Sequence, residues 1–243
     1  MSLQSTLMNH SAVVKSISSH VKLAQNLNAY SSAPYVMGET NSLSGGGASG
    51  LSDVFGAALW VVDYTLWQAV QNIQRVHFHQ STGSPYAAWW PTGPPTTCAP
   101  YYGNIMVAAA VGSTANTSIA YLDLGSDDGT LSAYQLYEDG ELARVVVLNL
   151  VEYTTGSGTR ATKTITLTVP TCVTEARVER LTAAGADVKT NISFGGVSFD
   201  YELAEGKPVV VNETASQEVV KVSTPGTLKI SIQDSEGVLL HLA

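Results

Sequence analysis

The sequence predicts a mixed fold, α/β in its first ninety residues and all-β beyond them. Three observations predict it. Apolar residues in 1–90 alternate between strand and helix periods, residues 91–103 are rich in proline and aromatic side chains, and residues 104–243 break into short runs between turn signals. Strands that alternate with helices are typical of a parallel layer, whereas many short strands are typical of an antiparallel sandwich. We therefore predict an N-terminal α/β part at 1–90, a connector at 91–103 and a β-sandwich at 104–243.

The first ninety residues have the order strand, helix, strand, helix, strand. Residues 3–7 are predicted to close a strand, and a helix stripe follows at Val14, Ile17, Val21, Ala24 and Leu27, capped by Asn9 or Ser11. Further elements are predicted at 35–38 (strand), about 52–73 (buried helix) and 75–79 (strand). An eight-stranded barrel needs roughly 200 to 250 residues, so we expect the last part of a (β/α)8 TIM barrel whose first part lies outside this chain.

The residues after the connector alternate in short apolar runs. Acidic and glycine-containing turns such as 127–129 and 138–140 separate them, which favours a sandwich. The predicted strands are 105–111, 118–124, 131–137, 143–151, 162–169, 176–181, 197–203, 209–211, 218–222, 227–232 and 238–242.

Charge excludes some partners. The net charge is −8, and because acids and bases cancel within residues 1–90, all of it lies in 91–243. Without a basic stripe, nucleic acid is not an expected partner. No apolar run reaches the length of a membrane span, so no membrane insertion is expected.

Four Asn-x-Ser/Thr sequons favour a secreted glycoprotein. They lie at Asn9, Asn116, Asn191 and Asn212. Residues 1–30 lack the apolar core of a signal peptide, so we expect the export signal upstream and Met1 not to be the natural start.

Cys98 and Cys172 allow one disulfide or two free thiols, and the sequence leaves both open.

Glu39 is the candidate catalytic residue. It ends a short apolar run and precedes a glycine-rich loop at 44–50, with almost no other charge nearby. The carboxyl end of a parallel strand is where a (β/α) barrel places its chemistry, and a carboxylate there is a typical nucleophile of a retaining glycosidase. The alternative is a surface salt bridge or a helix cap. Asn41 and Ser42 are candidates to bind sugar or orient Glu39, or else they form an ordinary turn.

Histidines and aromatic residues are candidates to bind a sugar. His77 and His79 alternate on one strand and so face the same side; no further ligand stands at metal spacing, so no metal is expected. They either meet sugar hydroxyls or are satisfied interior residues, and His10 has the same two interpretations. Tyr86, Trp89 and Trp90 either stack on a sugar ring or seal the junction with the sandwich; we predict that Tyr86 binds sugar and that Trp89 and Trp90 seal the junction.

The chain resembles the C-terminal half of a fungal glycoside hydrolase of family 79, the β-glucuronidases related to heparanase. The residues that carry this resemblance are the segments 38–42 (Gly-Glu-Thr-Asn-Ser), 50–60 (Gly-Leu-Ser-Asp-Val-Phe-Gly-Ala-Ala-Leu-Trp), 75–80 (Arg-Val-His-Phe-His-Gln) and 100–103 (Pro-Tyr-Tyr-Gly). The resemblance implies barrel strands six to eight followed by the family's β-sandwich. It also implies that Glu39 is the nucleophile and that Tyr86 contacts the uronic acid carboxylate.

One part of the family's machinery is not expected in this chain. The acid/base glutamate of the family follows an asparagine at the end of barrel strand four, which would precede Met1. Asp53 is predicted to cap a helix and Asp63 to face away from the strand ends, so neither supplies the second carboxyl.

The resemblance implies a fragment of a retaining hydrolase acting on β-linked glucuronic acid in glycans, needing no cofactor and inactive by itself. The alternatives are a non-catalytic carbohydrate-binding or interaction module, and a half-enzyme that needs a second chain as the missing barrel half.

Overall fold

This computed structural model of the protein describes residues 2–114, 116–223 and 226–243. The helices are α1 His10–Asn28, α2 Phe55–Val70, α3 Ala99–Val111, α4 Tyr201–Ala204 and α5 Glu213–Ser216. The strands are β1 Tyr35–Thr40, β2 Ile73–Phe78, β3 Trp89–Trp90, β4 Thr96–Thr97, β5 Thr117–Tyr121, β6 Leu131–Glu138, β7 Glu141–Asn149, β8 Thr162–Thr168, β9 Glu175–Thr182, β10 Ser193–Phe194, β11 Val197–Ser198, β12 Val209–Val210, β13 Val219–Lys221, β14 Thr227–Gln233 and β15 Glu236–Leu242.

Helix α1 begins where the sequence predicts it. The Asn9 side chain accepts a hydrogen bond from the Ala12 N–H and so caps the first turn. The buried face is rotated slightly from the predicted stripe, since Val13 is buried in place of Val14 and Leu27 is 48% exposed. The three- and four-residue spacing therefore predicts the helix correctly and its buried face only in part.

Helix α2 crosses between the parallel strands β1 and β2. It is apolar and buried on nearly all sides, as predicted. Its N-cap is Val54, without a side-chain cap, so the prediction that Asp53 caps this helix is wrong. The Asp53 carboxylate instead accepts hydrogen bonds from the Gly50 N–H and from Lys189.

Residues 3–7 were predicted to close a strand, and they form turns instead. The Leu3 carbonyl accepts hydrogen bonds from the N–H groups of Thr6 and Met8, which leaves no ladder for a neighbouring strand. The buried side chains of Leu3 and Met8 pack against Gly56, where an added Cβ would lie 2.8 Å from the Met8 sulfur. Packing against α2 thus determines the conformation of this segment.

The remaining residues are mostly β structure, dominated by a large antiparallel sheet. Its strands run in the order β12-β11-β10-β9-β15-β7-β6-β5, and β13 pairs with β9. The antiparallel pair β8–β14 covers one face of this sheet and forms a second apolar core with it. On the other face the sheet packs against α2 and α3. The central strands β7 and β15 are therefore buried on both faces, which explains their continuous apolar runs.

Two predicted strands are corrected by the structure. Residues 105–111 belong to helix α3, because Pro100 stands in its first turn and the alanine-rich run that follows packs on α2. A buried apolar run of this length does not distinguish helix from strand by periodicity. Residues 197–203 divide into β11 and the short helix α4. The predicted boundaries near 90 and 104 stay predictions.

Within the ranges that the structure describes, no helix is both long and apolar enough to cross a membrane.

Candidate active site

Glu39 lies near the carboxyl end of β1, next to an irregularity in the strand. Met37 pairs with Val76 and Thr40 pairs with Phe78, so β1 has one more residue than β2 between these pairs. The extra residue makes a bulge at Gly38 and Glu39, and bulges of this kind redirect side chains beside active sites. The Glu39 side chain is 76% exposed. Its carboxylate is therefore open to a ligand.

His79 and Tyr86 extend from Glu39 in a row. The Nδ1 atom of His79 lies 3.3 Å from Oε1 of Glu39. The rings of His79 and Tyr86 meet edge to face with centroids 5.8 Å apart. The backbone N–H of His79 donates a hydrogen bond to the backbone carbonyl of Thr40 at 2.9 Å, which continues the strand pairing beyond the end of β2. Two of the predicted site residues are thus brought to the predicted nucleophile.

Asn41 connects the segments that carry His79 and Tyr86 through hydrogen bonds of its side chain. Its Nδ2 donates to the His79 carbonyl at 2.9 Å and to the Tyr86 carbonyl at 3.4 Å, and its Oδ1 accepts from the Ser42 N–H at 2.8 Å. Both ends of the amide are therefore engaged within the protein. This geometry favours the orienting role over direct sugar binding.

The glycine-rich loop holds Tyr86 from the other side. The Ser52 hydroxyl accepts hydrogen bonds from the Ala48 N–H and from the Ser42 hydroxyl, which closes the loop. Gly47 has φ of 88°, and a Cβ there would lie 2.9 Å from the Ser52 side chain and 3.0 Å from the Tyr86 nitrogen. Only glycine allows the loop to approach Tyr86 this closely.

Two cavities open at Glu39. One of about 310 Å³ is lined by Glu39, Thr40, Asn41, Leu43, Ser44, Gly45, His79 and Tyr86. The other, of about 390 Å³, is lined by Ser5, Thr6, Leu7, Ala12, Val13, Ser16, His20, Met37, Glu39, Thr40, Asn41, Ser42, Leu43, Trp60 and Tyr64. Among the residues described, Glu39 is the only acid that lines either cavity. A reaction that needs two carboxyl groups has one of them here.

The second cavity contains residues that the sequence analysis did not assign to the site. His20 on α1 lies with its Nδ1 2.9 Å from the Tyr35 hydroxyl. The Tyr64 hydroxyl lies 2.7 Å from the Thr40 hydroxyl, and the Tyr64 ring stacks on Trp60 at 4.5 Å. Burial raises the pKa of Tyr64, which keeps it protonated and able to donate. Their positions on separate helices gave no sequence signal, since only packing brings them to β1.

His77 and Arg75 do not join Glu39. His77 is exposed, and in the described part of the chain it lines neither cavity at Glu39. Arg75 lines a different cavity of about 530 Å³, beside the end of α2 and the start of β2. The prediction that His77 binds substrate therefore has no support from this geometry.

His10 and Asp63 form a buried pair away from the cavities. The Asp63 carboxylate is fully buried and lies 3.0 Å from Nδ1 of His10, and it accepts a hydrogen bond from the Tyr134 hydroxyl at 2.6 Å. Asp63 is thus bound to structural partners, which agrees with its exclusion as a proton donor. His10 is a satisfied interior residue.

The predicted modification sites differ in accessibility. Asn116, Asn191 and Asn212 are exposed, whereas Asn9 is half-buried and uses both ends of its amide, as a helix cap and in a bond to the Asp128 carbonyl.

The disulfide that the sequence left open is not formed, since Cys98 and Cys172 are both free. Burial and the nearby Asp53 carboxylate raise the pKa of the Cys98 thiol to about 11.

Across the described ranges, no group of three His, Cys, Asp or Glu side chains is arranged to hold a metal ion.

Comparison with known proteins identifies the sheet-rich region. Residues 133–239 match the model of the glycosyl hydrolase family 79 C-terminal beta domain. The chain is a family 79 relative. The matched family 79 domain covers β6 to β15 except their outermost residues. The resemblance found in the sequence is thereby confirmed.

Two curated relatives are fungal enzymes. A β-glucuronidase of Aspergillus niger is 40% identical over 259 aligned residues, covering 99% of this chain and 48% of the relative. A β-glucuronidase of Neurospora crassa is 37% identical over 244 residues, covering 85% of this chain and 44% of the relative. This family 79 chain therefore spans about half the length of the curated relatives it matches.

A solved structure agrees over the whole chain. The 4-O-α-L-rhamnosyl-β-D-glucuronidase of Fusarium oxysporum 12S, in complex with Rha-GlcA, superposes with a TM-score of 0.84 at 29% identity. The match covers 100% of this family 79 chain and 50% of that one.

Proposed function

We propose that this chain is the nucleophile-bearing part of a retaining β-glucuronidase, made of the last strands of a (β/α)8 barrel and its β-sandwich. One observation carries the proposal. Glu39 stands exposed at the carboxyl end of a parallel strand, at the mouth of two cavities, in a chain 40% identical over 99% of its length to a fungal β-glucuronidase.

In this proposal Glu39 attacks the anomeric carbon and forms a covalent glycosyl-enzyme. Retaining hydrolysis needs the nucleophile and a second carboxyl about 5 to 5.5 Å apart, the second acting first as acid and then as base. His79 is proposed to limit the orientation of the Glu39 carboxylate, since its Nδ1 lies 3.3 Å from Oε1 of Glu39. Asn41 holds the His79 and Tyr86 segments together during the reaction.

The second carboxyl is proposed to come from outside these 243 residues. Asp63 is buried and bonded to His10 and Tyr134, and Asp53 is paired with Lys189, so neither is free to protonate a leaving group. The chain alone is therefore expected to be inactive. A barrel half that precedes it, or a separate chain, supplies the acid/base.

The substrate proposed is a glycan with β-linked glucuronic acid. No Lys or Arg among the described residues lines the cavities at Glu39. Among the described residues, Tyr86 and the Ser44–Gly45 loop line the cavity at Glu39 and are the proposed neutral donors to the uronate carboxylate. Secretion with glycans on Asn116, Asn191 and Asn212 is part of the same proposal, since these asparagines are exposed.

The N-terminus of the native polypeptide is first determined by intact mass spectrometry. Glu39 is then replaced in that polypeptide, and hydrolysis of 4-nitrophenyl β-D-glucuronide and of a 4-O-rhamnosyl glucuronide is measured. We expect Glu39→Gln to lower kcat on the order of 10³-fold or more. Azide should restore turnover in Glu39→Ala and yield a glycosyl azide of inverted configuration, because azide then takes the place of the nucleophile.

The matched control is Glu141→Gln, which removes the same charge from an exposed position in the sandwich. It should retain full activity. Activity unchanged in Glu39→Gln would contradict the nucleophile assignment. Hydrolysis by residues 1–243 alone would contradict the missing acid/base, and activity that appears only on mixing with a second polypeptide would identify a two-chain enzyme.

A further inference from the structure

A further cleft is lined by residues of the Pro- and aromatic-rich connector. It has a volume of about 420 Å³ and lies between the β3–β4 hairpin, the start of α3 and helix α4. It is lined by Trp89, Trp90, Pro91, Pro95, Thr96, Thr97, Tyr101, Tyr201, Glu205 and Gly206. None of these residues lines the cavities at Glu39, so the two sites are separate.

We propose that this cleft binds a neutral pyranose residue of a glycan. Trp89 is 47% exposed and Tyr201 is 37% exposed, so both aromatic side chains are accessible to a ligand, and the role of Trp89 at the junction stays a prediction. Trp89 and Tyr101 stand perpendicular with ring centroids 6.3 Å apart, which shapes a corner. Flat aromatic surfaces suit the C–H faces of pyranose rings, and they lose little conformational freedom on binding.

The polar residues of the cleft suit hydroxyl groups and not an anion. Glu205 is its only charged residue among those described, and an exposed carboxylate accepts hydrogen bonds from sugar hydroxyls. Thr96 donates its hydroxyl proton to the Pro94 carbonyl at 2.9 Å, which leaves its oxygen free to accept as well. Asp200 and Glu202 line the adjoining cleft and add negative charge. A uronic acid is disfavoured here, and a neutral sugar is favoured.

The aromatic corner is held in place before any ligand arrives. The Gln80 side chain donates to the Trp89 carbonyl at 2.6 Å and accepts from the Ala88 N–H at 2.9 Å. The Ala88 carbonyl accepts from the Cys98 N–H at 2.9 Å, and Trp89 pairs with Thr97. A rigid cleft of this volume with few converging polar groups is typical of small-ligand sites.

The experiment titrates the protein with cellotetraose, xylotetraose, β-1,6-galactotetraose and glucuronic acid by isothermal calorimetry. At least one neutral tetrasaccharide should bind. Trp89→Ala should weaken its binding by about fivefold or more through loss of the stacking surface, and Glu205→Gln by about threefold through loss of the charged acceptor.

Two controls separate this site from others. Tyr30→Ala removes a tyrosine that is 90% exposed elsewhere and should leave binding unchanged. Glu39→Gln should also leave neutral-sugar binding unchanged, so this inference and the proposed function fail independently.

Three results would overturn the inference. They are no binding of any neutral tetrasaccharide at about 10 mM, binding insensitive to both cleft variants, or binding lost in Glu39→Gln. The folding of Trp89→Ala is checked by comparing its thermal unfolding midpoint with that of the unmodified protein. If this variant does not fold, the binding measured with Glu205→Gln decides the outcome.

Discussion

The Tyr134 hydroxyl links the helices to the large sheet through a buried hydrogen bond. Tyr134 on β6 donates to the Asp63 carboxylate of α2 at 2.6 Å, and both residues are fully buried. His10 on α1 contacts the same carboxylate at 3.0 Å. Burial, together with the Asp63 charge, raises the pKa of Tyr134 well above its ordinary value, so the hydroxyl stays a donor at any pH of practical use.

Tyr134→Phe deletes this donor while leaving the ring in place. A hydrogen bond to a charged group contributes about 1.5 to 3 kcal/mol, and a buried acceptor that loses its partner retains its desolvation penalty. Because His10 still contacts Asp63, part of the compensation remains. We therefore expect the free energy of unfolding to fall by about 2 kcal/mol.

The assay is urea unfolding followed by tryptophan fluorescence, with the midpoint compared at an unchanged m-value. Tyr137→Phe is the matched control, since Tyr137 lies on the same strand, is only half-buried and donates at 3.3 Å to the Gln135 side chain. Its stability should change by less than about 0.5 kcal/mol. A loss in Tyr134→Phe no larger than in this control would refute the reasoning.

Two further predictions concern packing and pH. Gly103→Ala should lower the free energy of unfolding by about 1 to 3 kcal/mol, because the new Cβ would lie 2.3 Å from the Ala58 carbonyl oxygen and 2.8 Å from Val61 Cβ; an unchanged urea midpoint would contradict it. Hydrogen bonds from the Thr130 side chain and backbone and from Ser126 lower the pKa of Asp128 from 3.8 to about 2. A lowered pKa means that this carboxylate stabilises the fold above its unfolded pKa, and that the stabilisation is lost as pH falls through about 2. Asp128→Ala should therefore be less stable at neutral pH and show a smaller loss between pH 4 and 2 than the unmodified protein; equal pH slopes would refute this.

Much of the fold was predictable because it depends on local periodicity. The stripe that includes Ile17 and Ala24 predicts α1, and the apolar run after Val54 predicts α2. Most of the short runs after residue 116 are strands within a few residues of their predicted bounds. In each case the period along the chain matches the geometry of the element.

The errors lie where neighbours decide the conformation. The run at 105–111 has no distinguishing period and is helical because it packs on α2. Residues 3–7 have a strand-like composition and form turns because Leu3 and Met8 fill the space at Gly56. Asp53 had the position of a cap, but Lys189, distant in sequence, binds its carboxylate instead.

The candidate site was predictable in part. Glu39, His79 and Tyr86 were all selected from the sequence, and they lie in a row at the end of β1. His77, two residues from His79, is exposed and, in the described part of the chain, lines neither cavity at Glu39. His20 has no local signal and reaches the site because α1 packs beside β1.

The sequence by itself indicated the family, predicted the order of most of the elements and selected Glu39 as the candidate nucleophile. Only the tertiary structure decided that β15 inserts between β7 and β9, that Asp63 meets Tyr134, and that Trp89 and Tyr201 form one cleft. The physical reason is the range of the forces involved. Backbone sterics and periodicity act over a few residues and can be read along the chain, whereas these contacts join segments that only close packing brings together.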